Sequence, residues 1–400
     1  MYDVAVIGGG PTGSHTAYRL AERGYQVLVL EQKARPGEGV CCTGVVGREC
    51  IHSFAIDDDV ILDWANSAQA FSPSGQSLRL WLPETQACII DRTAFDAALA
   101  NRAQREGVEY LFNSRATNIK IKDDMVSIEV TRQGEELSLE ARAVVIASGF
   151  ASRLAEGLGL GRINHFALGA QAEVATAGIA EVEVYFGNEV APGFFAWLLP
   201  ISSVKARLGL LSDRSPGFYL KRLMSTLLAQ GKITSDEAEP NYGGVSLKPL
   251  ARTYGERLLV VGTAAGQVKP TTGGGIYYGL LCADIAADNL HRALASNDLS
   301  ASGLAGYQRE WKKRLGRELS RGYRVHKLYQ HLSDGQIDRM FNAMAANGTV
   351  DLFLKADDVS FDWHSGGLLR MLGRVVISKA VEVAKTPFVN VKRKCTHCDS

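Results

Sequence analysis

The chain has almost no net charge to offer a partner. Its 44 basic and 43 acidic residues leave a formal charge of +1 over 400 residues, which argues against a nucleic-acid surface. No apolar run approaches the roughly 18 residues that a membrane-spanning helix requires, so the chain reads as soluble or peripheral. A basic leader segment is also missing. Met1-Tyr2-Asp3 runs straight into an apolar strand, unlike a secretory signal, and a cytoplasmic protein is expected. The cysteines are few and odd in number. Cys41, Cys42, Cys50, Cys88, Cys282, Cys395 and Cys398 point to reduced thiols rather than a disulfide framework. Repeats and low-complexity segments are absent. What is present, 46% hydrophobic residues and 41 glycines, suits a globular α/β enzyme long enough for two or three subdomains.

Residues 1–31 carry the strongest pattern. An apolar strand, Val4-Ala5-Val6-Ile7, leads into Gly8-Gly9-Gly10-Pro11-Thr12-Gly13, then a helical segment, then a second strand at 27–30 that ends on Glu31. This is the order of a dinucleotide-binding βαβ unit. Gly8 permits the tight turn, Gly10 lets the backbone approach a pyrophosphate, and Gly13 lets helix and strand pack closely. The helix N-terminus offers free N–H groups to phosphate, and Glu31, 18 residues past Gly13, can accept from ribose hydroxyls. A motif with so little before it favours FAD over a nicotinamide as the occupant.

Further on, residues 32–44 form a glycine-punctuated loop, and Asp91 is placed to cap a helix from Arg92 to about Arg105. Three alternating stretches near 114–121, 124–131 and 136–141 read as a β-meander, followed by a buried strand at 143–147. Hairpins at 166–212 suggest a separate sheet. The nucleotide-binding part then resumes with a strand at 257–261 and a glycine-rich turn, Pro270-Thr271-Thr272-Gly273-Gly274-Gly275-Ile276, that opens a helix to about Ala295. Residues 300–400 are mostly helical and more basic. The expected fold is α/β: a discontinuous Rossmann-like FAD-binding domain with an inserted antiparallel β-sheet substrate domain and a helical C-terminal region. The expected division is 1–62, 91–160 and 250–298 for FAD, 63–90 and 161–249 for the substrate sheet, and 299–400 for the helices.

Several segments together resemble the FAD-dependent geranylgeranyl reductase family, a branch of the para-hydroxybenzoate hydroxylase-like flavoproteins. They are the N-terminal fingerprint, Val40-Cys41-Cys42-Thr43-Gly44, Asp91-Arg92-x-x-Phe95-Asp96, and the run from Val261 through Gly266 and Pro270 to Ile276. The most discriminating is Phe195-x-Trp197-x-Leu199-Pro200 with Gly209 downstream, which is similar to the signature lining that family's prenyl cavity. The resemblance implies that Gly8, Gly10, Thr12, Gly13, Glu31, Cys42, Gly44, Arg92, Ala116, Thr263, Gly275 and Ile276 hold FAD. It implies that Phe195, Trp197 and Pro200 hold the substrate, and that Cys42 lies near the flavin and the reacting double bond. The chain departs from the pattern at Thr263 and Ser148, where relatives carry Asp, and at Phe195, where the family carries Tyr.

These residues also have plainer readings. Phe194, Phe195 and Trp197 can wall a prenyl slot or fill a sheet core, and strand alternation is expected to send Phe194 to the face opposite the other two. Arg92 can reach FAD or point into solvent. Cys42 can relay a proton or lie inert, and Cys41 beside it blurs which thiol faces the ring. Cys395-Thr396-His397-Cys398 is too few ligands for structural zinc, so no metal is expected there; a loose tail, a redox pair or shared ligation fits it. Residues 368–385, apolar and basic, suit either an anionic membrane surface or core packing.

The functional expectation is a reductase saturating carbon–carbon double bonds of a prenyl chain on a lipid, pigment or quinone. NAD(P)H and a ferredoxin-type protein both stand as electron donors. The rivals are a flavin monooxygenase or halogenase on the same scaffold, and a non-catalytic flavin electron-transfer protein. Localisation is expected in the cytoplasm, at the inner face of the membrane if the substrate is a membrane lipid. The head group, the oligomeric state and the number of bonds reduced are not legible.

Overall fold

The computed structural model describes residues 1–150, 152–346, 354 and 359–370. Cys395, His397, Cys398 and most of the 368–385 segment lie outside the described residues.

The first strand, β1 (Tyr2–Ile7), the helix α1 (Pro11–Ala21) and the second strand, β2 (Val27–Leu30), form the expected βαβ unit. β1 and β2 are the middle of a parallel sheet ordered Leu258–Val260, Glu135–Ile146, β1, β2, Glu109–Leu111. Residues 4–7, 27–30 and 143–146 in its middle are apolar and buried because both faces are covered there. Val4, Val6, Val27, Val29, Ala143 and Val145 face the helices, meeting Leu20, Phe95, Leu99, Tyr278 and Tyr307. Ala5, Ile7, Leu28, Leu30, Val144 and Ile146 face the meander through Ile119, Val126 and Ile128.

The meander strands Ser114–Ile121 and Val126–Arg132 appear where expected. The stretches expected at 136–141 and 143–147 are instead one strand, Glu135–Ile146. It changes partner midway: Ala141 pairs antiparallel with Val126 and parallel with Tyr2. The polar-to-apolar shift at that point marks the change of partner, not a break in the strand.

A seven-stranded sheet runs Asn241–Ser246, Phe166–Ala175, Lys205–Ser212, Phe195–Pro200, Val182–Phe186, Ser67–Phe71, Ser77–Trp81. Neighbours are antiparallel except where Val182–Phe186 meets Ser67–Phe71 in parallel. One face packs Ala170, Ala196, Leu198, Leu208 and Leu210 against the helix Pro216–Ala229. The other face carries Trp197, Leu199 and Leu211. A third, smaller sheet runs Val45–Gly47, Ala87–Ile90, Ile61–Ala65.

The helix Ile276–Ala295 packs on α1. The helix Ala301–Gln330 follows, its first turn capped by the Ser300 hydroxyl, then Asp334–Ala346. Among the described residues, no helix is long and apolar enough to cross a membrane.

Candidate active site

The turn after β1 is built by exclusion of side chains. Gly8 has φ +107°, and a Cβ there would stand 2.5 Å from the Ala147 carbonyl oxygen. A Cβ on Gly13 would run into the Gly8 carbonyl. Gly10, by contrast, faces open space and begins α1 with no side chain capping its free N–H groups. Glu31 Oε2 accepts from Gly9 N at 2.7 Å and its Oε1 from Lys33 N at 2.8 Å, which fixes the carboxylate at the rim while each oxygen keeps a lone pair. Gly8, Ala116 and Ser148 line a cleft of about 730 Å³ that extends past Leu30, Gln32, Phe150 and Arg153. Ser148 Oγ is buried there without a partner. Buried hydroxyls are nearly always satisfied, so the orphaned oxygen, the uncapped helix end and the space over Gly10 suit a polar ligand with phosphates. FAD fits that description.

Thr12 turns the other way. Its hydroxyl fills the notch between Gly262 and Gly279, where a Cβ on either glycine would strike it, and so locks α1 to the returning segment. Thr263 lies on a single helical turn at Gly262–Ala265, and its Oγ1 is 3.3 Å from where Gly275 would carry a Cβ. The turn is anchored from beneath. Gly262 N donates to Gln267 Oε1 at 2.7 Å, Gln267 Nε2 to Tyr307 Oη at 2.9 Å, and Tyr307 Oη to the Val260 carbonyl at 2.9 Å. Gly275 is the residue before the helix that starts at Ile276.

The cysteine loop is held by the seven-stranded sheet. Gln171 Nε2 donates to the Cys42 carbonyl at 3.2 Å and Arg207 Nη1 to the Thr43 carbonyl at 2.7 Å. Gly44 leaves room for that guanidinium, since a Cβ would stand 2.9 Å from Arg207 Nη1. Neither Gln171 nor Arg207 belongs to a recognised motif. Their signal was polarity at inward positions of apolar strands.

The two adjacent thiols diverge. Cys41 Sγ lies 3.5 Å from the Asn241 carbonyl, and burial first, then Cys42, pushes its pKa up to about 11. Cys42 is close enough to the Arg92 guanidinium to favour its charge. Arg92 is not a surface arginine: largely covered itself, it forms a bidentate pair at 2.9–3.1 Å with the buried Asp96. Burial works against the Arg92 charge, but Asp96 and then Cys42 outweigh it and raise its pKa. Asp96 itself is raised, burial outweighing Arg92.

Phe195 and Trp197 share one face, their rings 6.1 Å apart and edge-on. Gly209 pairs directly with Trp197, and a Cβ there would be 2.6 Å from the indole, so the ring lies flat over the glycine. The expectation for Phe194 was wrong. It precedes the strand, so alternation does not govern it, and it joins the Trp197 cluster while stacking on His326 at 4.4 Å. Pro200 ends the strand, one position beyond the Leu199–Arg207 pair.

Residues 2–180 match a family model described as pyridine nucleotide-disulphide oxidoreductase. The digeranylgeranylglycerophospholipid reductase of Methanocaldococcus jannaschii is 30% identical over 86% of this chain and 90% of its own length. A second such reductase, from Methanothermobacter thermautotrophicus, is 32% identical over 86% and 91%. A solved geranylgeranyl bacteriochlorophyll reductase-like protein from Thermoplasma acidophilum shares the fold: TM-score 0.82, 24% identity, 96% of this chain and 98% of that one. The flavin-dependent halogenase CmlS shares it more distantly, with TM-score 0.64, 18% identity, and 95% and 78% covered. The chain is an FAD-dependent oxidoreductase and belongs to the geranylgeranyl reductase family.

Proposed function

We propose that this enzyme saturates carbon–carbon double bonds along the prenyl chains of a glycerophospholipid. The observation that carries the reading is the apolar sheet face of Phe195, Trp197 and Leu199, whose neighbouring rows, through Gln171 and Arg207, hold the cysteine loop. A prenyl chain offers only apolar surface, so a wall of aromatic and aliphatic side chains is the suitable grip. The glycerophospholipid for which the archaeal relatives are named supports the head group. On this reading 63–90 and 161–249 form the substrate region, and the segments 1–62, 91–160 and 250–298 the cofactor region.

Two-electron-reduced FAD, when bound, would supply the hydride chemistry of alkene saturation. The chain's own residues do the rest. Gly8, Gly10 and Gly13 shape the turn whose amides would receive the pyrophosphate, while Glu31 would accept from the ribose and the Ala116 backbone would meet the adenine. Ser148 and Thr263 would supply hydroxyls to the cofactor. Gly275 and Ile276 present the N-terminus of a 20-residue helix, whose positive end would stabilise negative charge on a reduced ring. Arg92 and Gly44 hold the cysteine loop in place, and the Cys42 thiol delivers a proton to the second alkene carbon. Phe195, Trp197 and Pro200 seat the chain and keep water out.

The substrate reading places the enzyme in the cytoplasm, at the inner face of the membrane. Co-sedimentation with vesicles containing the lipid tests that contact. Stopped-flow reduction by NAD(P)H and by a ferredoxin-type protein identifies the donor. The decisive experiment is anaerobic: reduced enzyme is mixed with a geranylgeranyl glycerophospholipid, and flavin reoxidation and product mass are followed. Mass gains in steps of two hydrogens are expected. Oxygen-dependent turnover with no such gain overturns the reading and favours the oxygenase chemistry of the halogenase scaffold.

A further inference from the structure

The loop that opens the helix at Ile276 and the strand that follows the cysteine loop are far apart in sequence. One short stretch, residues 361–364, touches both. Asp362 and Lys269 are buried to 2% and 4% exposure and pair at 2.8 Å. The other Asp362 oxygen sits in the notch left by Gly47, where a Cβ would strike it, and Gly47 ends the strand that leaves the cysteine loop. Trp363 Nε1 donates to Glu49 Oε2 at 3.0 Å, just beyond that strand.

On the flavin-loop side, His364 Nε2 is 2.7 Å from Thr271 Oγ1, and His364 Nδ1 is 3.0 Å from the Phe361 carbonyl. A carbonyl only accepts, so the neutral ring donates from Nδ1 and Nε2 receives the Thr271 hydroxyl. Lys269 braces its own loop. Its N–H donates to the Gly274 carbonyl at 3.0 Å, its carbonyl accepts from Gly273 N at 2.8 Å, and a Cβ on Gly274 would stand 2.6 Å from Lys269 Cε. The stretch is itself pinned from behind. Tyr278 Oη donates to the Asp362 carbonyl at 2.8 Å, and Glu318 accepts from His364 N at 3.1 Å and Ser365 N at 2.8 Å.

A buried ion pair is weak evidence for stability, since desolvation offsets most of the attraction. It is well suited to fixing geometry. We propose that residues 361–364 are a clasp that sets the spacing between the cysteine loop and the loop 269–276, with Lys269, Asp362, Trp363 and His364 as positioning residues for the flavin ring. The proposal rests on the assignment of those two loops to the flavin.

Hydrogen exchange on the apoprotein and flavin release from the holoprotein test it together. Asp362→Asn is expected to speed amide exchange at least tenfold at both 45–49 and 271–276, leaving 4–7 and 143–146 unchanged. Trp363→Phe should loosen 45–49 alone, and Thr271→Val should loosen 271–276 alone. In the holoprotein, Asp362→Asn should release FAD about tenfold faster and shift the flavin midpoint potential. A tenfold change in relative affinity for the two redox forms is about 30 mV for a two-electron couple. A uniform rise in exchange across the parallel sheet makes Asp362 merely structural and overturns the clasp. Loops that loosen as expected with no change in flavin release or potential overturn it differently, by showing that they do not seat the flavin. If Asp362→Asn does not fold, the two neutral variants decide alone, because loosening confined to one loop each is the result that a clasp requires.

Discussion

Replacing Gly209 by alanine tests the substrate wall at its tightest point. The new methyl would lie 2.6 Å from Trp197 Cζ2, 2.7 Å from Cε2 and 2.9 Å from Nε1. Carbon atoms pack best at about 3.5–4.0 Å, so the indole must move by roughly 1 Å. Gly209 has no positive φ, so the strain falls on packing and not on the backbone. Overpacking of this kind costs about 1–3 kcal/mol, while the stiffer unfolded chain returns about 0.4–1 kcal/mol. A net loss of about 1–2 kcal/mol is expected in chemical denaturation. The displaced ring enters the space assigned to the prenyl chain, so KM should rise on the order of tenfold, which corresponds to about 1.4 kcal/mol of binding. Flavin affinity should not change. In a Trp197→Leu background the same substitution should cost little, giving a coupling of at least about 1 kcal/mol in the double-mutant cycle. An unchanged melt and KM for Gly209→Ala, or an equal penalty in both backgrounds, would refute the flat indole on the glycine.

Ser148→Ala removes an orphaned buried hydroxyl, so the apoprotein should be as stable or slightly more so, while FAD binds several-fold more weakly by titration, about 1 kcal/mol. Arg92→Met leaves Asp96 buried without its partner and should cost about 3–5 kcal/mol, most of it recovered in the Arg92→Met/Asp96→Leu double variant. His326 and His364 are each held down to about 4, both chiefly by burial and His364 also by Lys269. Their folded pKa lies below the unfolded value near 6.5, so stability is full above about pH 6.5 and falls as pH drops toward 4. The slope approaches about 1.4 kcal/mol per pH unit for each histidine. Denaturation midpoints that stay flat between pH 7 and pH 4.5 would contradict this, and His326→Phe should remove half of the slope.

The parallel sheet was legible because its chemistry is local. Glycines at 8, 10 and 13, two apolar strands and an acid at 31 lie within one short window, and each is required by backbone sterics or helix-end electrostatics. The pairing of Phe195 with Trp197 was legible for the same reason, because strand periodicity is a local rule. Phe194 was misread because the strand starts one residue later, and a turn has no alternation to extrapolate. The double role of Glu135–Ile146 was missed because its polar-to-apolar shift reads equally well as a break between two strands. Gln171 and Arg207 could be seen only as polar residues out of place. Their reason, the carbonyls of Cys42 and Thr43, comes from well over a hundred residues away. The Lys269–Asp362 pair gave no signal, since nothing in either neighbourhood announces a partner ninety-three residues distant.

The parallel contact between Ser67–Phe71 and Val182–Phe186 bears on how the chain can be made. The hairpin 67–81 leaves the ribosome about a hundred residues before the strand that will cover its open edge. The parallel sheet in turn lacks Leu258–Val260, and α1 lacks the helix Ile276–Ala295, until most of the chain has been synthesised. Neither half can therefore finish early and serve as a template for the other. A fragment ending near residue 160 should show no cooperative unfolding transition, because nascent chains of this enzyme acquire their native order late and nearly all at once.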